Sequence, residues 1–257
     1  LHPELFRFHI PFLSYERPVQ SYGALIILGM TVGMLVGARR ARAYGVAASD
    51  VVHVGFLAIA GGIVGAAALF ILVHLPEFIA DPSLFKQPGL VFYGGLAGGV
   101  GSAYWYCRHF KVPFPAVADA AVPALAFGHA FGRVGCLMGG CCYGRELSPD
   151  HPLAIVLHGT TRHPVQAYEA VGLVVLGAIL VALSGRLRPR PGALAWLYVA
   201  LYAILRFTME LFRGDDLERG RFAGLISTSQ IIALVALAVA AIAFVRGCGR
   251  RHPSTPF

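Results

Sequence analysis

Charged side chains are scarce in this sequence. Asp, Glu, Lys and Arg make up 13% of its 257 residues, where a soluble domain carries roughly a quarter, and that deficit excludes a large water-facing surface. Alternating apolar and polar runs are missing as well, which sets aside a membrane barrel. No low-complexity segment or convincing internal repeat divides the chain, so residues 1–257 are expected to form a single integral membrane domain. The formal charge of +8 comes without an aromatic-interleaved basic stripe, so no nucleic-acid partner is expected. What remains is apolar: 57% of residues are hydrophobic and the mean hydropathy is +0.68. With lipid as solvent and no strand pattern, the fold class that satisfies the backbone is all-α.

Seven apolar stretches, near 22–38, 51–75, 90–107, 116–134, 165–183, 193–212 and 224–245, approach the ~20 residues that a helix needs to cross the hydrocarbon. The chain therefore reads as a polytopic membrane protein with about seven transmembrane helices. A polar lead precedes the first stretch, a charged cluster follows it, and no small-residue cleavage site is evident, so a retained helix is expected rather than a cleaved signal. The fourth carries Asp119, Pro123, His129 and Arg133, and must face protein or water rather than lipid. Loops after helices one, three and five, together with the C-terminal tail, hold eleven bases against one acid, Asp50. The opposite side holds eight bases and nine acids. By the positive-inside rule the N-terminus is outside and the C-terminus in the cytoplasm. Glycines at Gly61, Gly62 and Gly65, and at Gly94, Gly95, Gly98, Gly99 and Gly101, read as close-packing positions between helices.

Two bases, Arg133 and Arg206, fall inside predicted helices. A guanidinium in the membrane cannot escape by losing its proton, so it needs a carboxylate, an anion or a water-filled cavity. Structural ion pairs with Glu169 or Glu210 are one reading, and Glu210 stands four residues after Arg206 on the same helical face. The other is bidentate capture of phosphate, whose commonest source at that depth is a phospholipid headgroup.

The stretches LVFYGGLAGG, FGRVGCLMGGCCYG, RHPVQAYEA and LYAILRFTMELFR, in that order, resemble the bacterial prolipoprotein diacylglyceryl transferase family. The opening LHPELFRF and the later QSYG extend the similarity over almost the whole chain. The resemblance implies a transferase of the bacterial cytoplasmic (inner) membrane acting in lipoprotein biosynthesis. It would move the diacylglyceryl group of phosphatidylglycerol, or of another anionic phospholipid, to the cysteine thiol of a lipoprotein precursor, forming a thioether and releasing glycerol phosphate. No cofactor is implied. Arg133 matches the arginine of the family's Gly-Arg-x-Gly signature, and Arg206 the arginine that follows its sixth-helix tyrosine; either could stabilise charge on the departing phosphate. The resemblance also places Tyr93, Cys136 and Cys141 at catalytic positions. Substrate-binding positions fall on Tyr22, Gly94, Gly95, Tyr202, Glu210, Arg213, His163 and Gln166, and Tyr168 and Glu169 are family-like too.

The departures from the family pattern are concentrated. Tyr93 stands where the family's FHGGL pattern has His, and a phenol with an ordinary pKa near 10 is a poor base at neutral pH. In the family's GNxxNxE run, Cys136 and Gly139 replace the two Asn and Cys141 replaces the acid. Three of the chain's five cysteines thus fall at Cys136, Cys141 and Cys142, just after Arg133. They read as small buried hydrophobes, as a disulfide of Cys136 with Cys141 or Cys142, or as a working thiol activated by Arg133. CxxxxCC is not a standard zinc spacing and the nearby histidines lack paired-ligand spacing, so no metal site is expected. His53 and His74 read as hydrogen-bonded structural histidines. Two alternatives to the transferase stay open: a paralogue acting on another acceptor through a Cys-containing site, and a non-enzymatic phospholipid-binding membrane protein.

Overall fold

The computed structural model describes residues 4–10, 15–81, 89–214, 221–222 and 226–248. Among them are eight α-helices: α1 (Ser21–Ala41), α2 (Ala48–Val73), α3 (Leu75–Ala80), α4 (Phe92–His109), α5 (Phe114–Met138), α6 (Val165–Leu187), α7 (Ala193–Glu210) and α8 (Thr228–Cys248). Within the described residues each of the seven apolar stretches contains a long helix, and α3 is a short addition. Six helices are long and apolar enough to cross a membrane. The remaining long one is α4, whose 18 residues include a run of glycines, four aromatic residues with polar edges (Tyr93, Tyr104, Trp105 and Tyr106) and a terminal Arg108-His109 pair. These dilute its hydropathy.

Three antiparallel hairpins were not expected. They pair β1 (Glu4–Ile10) with β2 (Tyr15–Gln20), β3 (Ile155–Leu157) with β4 (Thr160–Arg162), and β5 (Arg221–Phe222) with β6 (Ile226–Ser227). Strands β3 to β6, of two or three residues, are too short to show a period, whereas β1 and β2 have seven and six residues and lie in the polar lead before the first span. Of the charges behind the expected orientation, Lys86, Asp215, Asp216, Glu218, Arg219, Arg250 and Arg251 lie outside the described residues.

The chain divides into two compact units, Gly37–Ala121 and a second made of Leu1–Val36 with Val122–Phe257. In the first, α2 and α4 lie backbone to backbone along the expected glycine seam. A Cβ on Gly98 would meet the Gly61 carbonyl, and one on Gly65 the Gly94 carbonyl, closer than any real side chain approaches. With only hydrogen at these positions, dispersion contacts and Cα–H···O contacts hold two helices that gain nothing from hydrophobic burial in lipid. At one end of the pair, Tyr106 donates to Asp50 Oδ1 at 3.0 Å and His53 Nδ1 lies 3.1 Å from the Tyr106 hydroxyl. Since the phenol proton is given to Asp50, His53 must carry its own on Nδ1. His74 contacts the Phe70 carbonyl at 3.0 Å, so both histidines take the structural roles expected.

In the second unit α1 and α5 cross at Gly29 and Gly128, where a Cβ on Gly29 would sit 2.7 Å from the Gly128 carbonyl. Of the spans, α5 is the most enclosed, with half of its most apolar window buried against 28% or less in the others. That is what its polar content demanded. Along α6, Gln166, Glu169, Ala170, Leu173, Leu176, Gly177 and Leu180 are buried, a stripe at helical spacing. Lipid and protein faces of α6 are equally apolar above its first turn, so burial rather than hydropathy distinguishes them.

Candidate active site

Helix α5 supplies the first group. His129, Arg133 and Cys136 follow one another at spacings of four and three, hence on one face. Arg133 Nη2 pairs with Glu169 Oε1 on α6 at 2.9 Å, and Glu169 is fully buried. Tyr202 on α7 donates to the same oxygen at 3.5 Å. The Tyr202 ring stands 5.3 Å from that of His129 and stacks on Tyr198 at 5.9 Å. One turn further along α7, Arg206 pairs with Glu210 at 2.8 Å and donates to Ser229 Oγ on α8 at 3.4 Å. Both ion pairs anticipated from the sequence are therefore formed. Each arginine nevertheless keeps a buried donor without a hydrogen-bond partner among the described residues, Nε on Arg133 and Nη1 on Arg206, and Glu169 Oε2 is likewise unpartnered.

The second group lies where α5 ends. Gly140 has φ +70°, Cys141 N–H bonds back to the Cys136 carbonyl at 3.1 Å, and Gly140 N–H to that of Leu137 at 3.2 Å. This is a Schellman stop, which sets its third-last helical residue against the second residue past the cap. That contact is ordinarily hydrophobic; here it joins Cys136 to Cys141. Cys142 then adopts φ +60°, uncommon for a residue with a side chain, and turns its thiol back as well. The three Sγ atoms all lie within 4.8 Å of one another. All three are free thiols, Cys136 buried, Cys142 intermediate and Cys141 exposed. A hydrogen bond from the Cys136 thiol holds the Cys142 thiol well below the usual thiol range, helped by the Arg213 and Arg133 guanidiniums, whereas burial pushes Cys141 up.

Two clamps fix this turn. His158 Nε2 donates to the Gly140 carbonyl at 2.8 Å, and the buried Gln166 Nε2 donates to that of Cys141 at 2.6 Å. Beyond it Gly144 N–H bonds the His163 carbonyl at 3.2 Å, Arg145 N–H bonds that of Phe212 at 2.9 Å, and Arg145 Nε bonds that of Arg213 at 2.9 Å. A Cβ on Gly144 would sit 2.6 Å from the His163 carbonyl, so only glycine fits. His163 itself lies 3.4 Å from the Tyr168 hydroxyl, and burial and the neighbouring His151 hold its imidazole below the ordinary range.

The sequence model of the family described as "Prolipoprotein diacylglyceryl transferase" matches residues 10–246. The chain belongs to this family. Among similar proteins, a phosphatidylglycerol–prolipoprotein diacylglyceryl transferase of Clostridium tetani is 32% identical over 245 residues, covering 91% of this chain and 95% of its own. Enzymes of the same name from Geobacter sulfurreducens and Vibrio cholerae are each 36% identical, covering 82% and 84% of this chain and 84% and 82% of their own lengths.

The family-like positions are distributed over both units. Arg133, Arg206, Tyr202, Glu210, Gln166, His163, Arg213, Cys136, Cys141 and Tyr22 belong to the second unit, and Tyr93, Gly94 and Gly95 to the first. Tyr22, 44% exposed at the start of α1, lies over Gly135 and within electrostatic reach of Arg133 and the three thiols. Arg213 is buried and its guanidinium faces Cys142. Gly94 and Gly95 lie against α2, and Tyr93 is half-exposed beside Phe92. Sequence reasoning did not single out Tyr198, His158 or Ser229. Tyr198 had a signal, since it lies four residues before Tyr202; His158 and Ser229 act through the tertiary fold and had none.

Proposed function

We propose that this member of the prolipoprotein diacylglyceryl transferase family moves the diacylglyceryl group of phosphatidylglycerol to a lipoprotein-precursor cysteine. The carrying observation is the family match over residues 10–246, with relatives of that name over most of the chain. The difficulty of the reaction lies in expelling a phosphate from an unactivated carbon. Two guanidiniums buried beside carboxylates, each with a donor left over, suit that task. In this reading Arg133 and Arg206 take the lipid phosphate, and Glu169, Tyr202 and Glu210 hold the forks in plane. Incubating purified protein with phosphatidylglycerol and a lipobox peptide should consume donor and yield a peptide heavier by one diacylglyceryl group. Donor consumed without peptide modification would favour the second reading, a different acceptor, which the replacement of the family's acid by Cys141 supports. No donor turnover at all would defeat both enzymatic readings.

The same proposal sets the protein in the bacterial cytoplasmic membrane with its N-terminus outside. A reporter active only in the cytoplasm should work when fused in the Arg186–Arg190 loop and fail in the loop at 215–221; the reverse pattern would overturn this orientation.

A further inference from the structure

Among the described residues, the thiol cluster is a built feature that phosphate binding leaves unused. Three sulfurs converge within 4.8 Å. They do so because the chain adopts a left-handed glycine at 140 and a left-handed cysteine at 142, while His158 and Gln166 pin the two intervening carbonyls. A disulfide would use only two of the three, and a bridge between the adjacent Cys141 and Cys142 would close a strained small ring. Packing alone would leave no reason for an exposed Cys141 or for a positive φ at a non-glycine residue, which costs of order 1 kcal/mol or more.

We propose that Cys136, Cys141 and Cys142 bind one thiophilic divalent cation of the zinc class, and that its open fourth position receives the acceptor thiol. Zinc–sulfur bonds of about 2.3 Å put tetrahedral thiolates about 3.8 Å apart, so the observed cluster needs to contract by no more than about 1 Å. Three thiolates and a divalent ion carry one net negative charge, and Arg133 and Arg213 flank them. Burial is lopsided: Cys136 is enclosed and Cys141 exposed. The site is therefore open on one side, as sites with three protein ligands and an exchangeable fourth are.

The inference rests on the transferase reading and supplies what that reading lacks, a route to the nucleophile. An ordinary cysteine with pKa ≈ 8.5 is mostly protonated at neutral pH, and Tyr93 is a poor base for it. Metal coordination deprotonates a thiol outright. The acceptor would give its proton to water on binding. Its sulfur would then form the new bond to the glycerol carbon of the lipid as the carbon–oxygen bond breaks. That bond's electron pair leaves on glycerol phosphate, beside Arg133.

The full chain, purified in detergent, would be stripped by a chelator under reductant and titrated with zinc and, separately, with cobalt(II). One ion per chain is expected, lost in C136S, C141S and C142S alike. The cobalt form should show thiolate-to-metal charge-transfer absorption that changes on adding a lipobox peptide but not its Cys→Ser analogue. Stripping the wild type should lower peptide modification by roughly 100-fold, and zinc should restore it. Free thiols with substoichiometric metal after zinc addition, or a disulfide in protein isolated without reductant, would overturn the proposal, as would full transfer by metal-free protein. Transfer without metal would leave the transferase reading intact. A cobalt signal that responds to the peptide with no transfer would do the opposite, preserving the acceptor site and removing the transferase.

Discussion

The α2–α4 pair and the α5–α6–α7 group are both built from apolar helices, yet they are held by opposite means. Between α2 and α4 almost nothing is charged, and the glycines at 61, 65, 94 and 98 let two backbones touch. In the other group the helices are joined by Arg133–Glu169, by Tyr202 on the same carboxylate, and by Arg206 bridging Glu210 and Ser229. A seam of backbone contacts tolerates no added volume. A seam of ion pairs holds its helices through groups that a phosphate could also engage. Substitutions at Gly61, Gly65 and Gly98 should change stability with turnover intact, and those that loosen the arginine forks should change turnover first.

The largest effect is expected for R133K and R206K, which keep the charge and lose the planar fork. Transfer per folded protein should fall by about 100-fold, with thermal unfolding little altered. Wild-type rates in both would break the contrast at its chemical end. Deleting the charge is a different experiment, because R133L would strand buried Glu169 and destabilise the protein by about 3–5 kcal/mol.

Next comes G98L, whose side chain would drive into the Gly61 carbonyl. A loss of about 1–3 kcal/mol in detergent unfolding is expected, with the surviving folded protein turning over at the normal rate. A stable G98L with slowed chemistry would show that the glycine seam takes part in the reaction. Y93F sharpens the comparison from the same helix. If the thiol cluster prepares the nucleophile, losing this phenol should cost under about 10-fold, whereas a larger fall confined to kcat would make Tyr93 the proton acceptor. The smallest effect is expected for Y106F, which removes the hydroxyl between Asp50 and His53 at about 1 kcal/mol of stability and leaves transfer unchanged.

What could be read beforehand follows the same division. The spans were legible because lipid imposes length and apolarity on every helix, and Arg133 and Arg206 were conspicuous because a charge in such a span needs a reason. Glu210 could be matched to Arg206 by its i,i+4 spacing. Glu169 could only be named as one option for Arg133, since its partner is on another helix and α6 is apolar on nearly every face. The glycine seam was visible as a pattern, but which glycine meets which carbonyl was not. The convergence of the three sulfurs was not visible in the CxxxxCC spacing either. The Schellman turn at Gly140 and the left-handed Cys142 bring them together, and backbone handedness at a cysteine leaves no mark in sequence.

In the transferase reading the arginine-lined group expels a lipid phosphate in favour of a thiol. The most direct test counts two products of one incubation, glycerol phosphate released from phosphatidylglycerol and diacylglyceryl peptide formed. Equal amounts are expected at every time point, both falling together in R133K. Glycerol phosphate released without matching peptide, or an undiminished rate in R133K, would contradict the account.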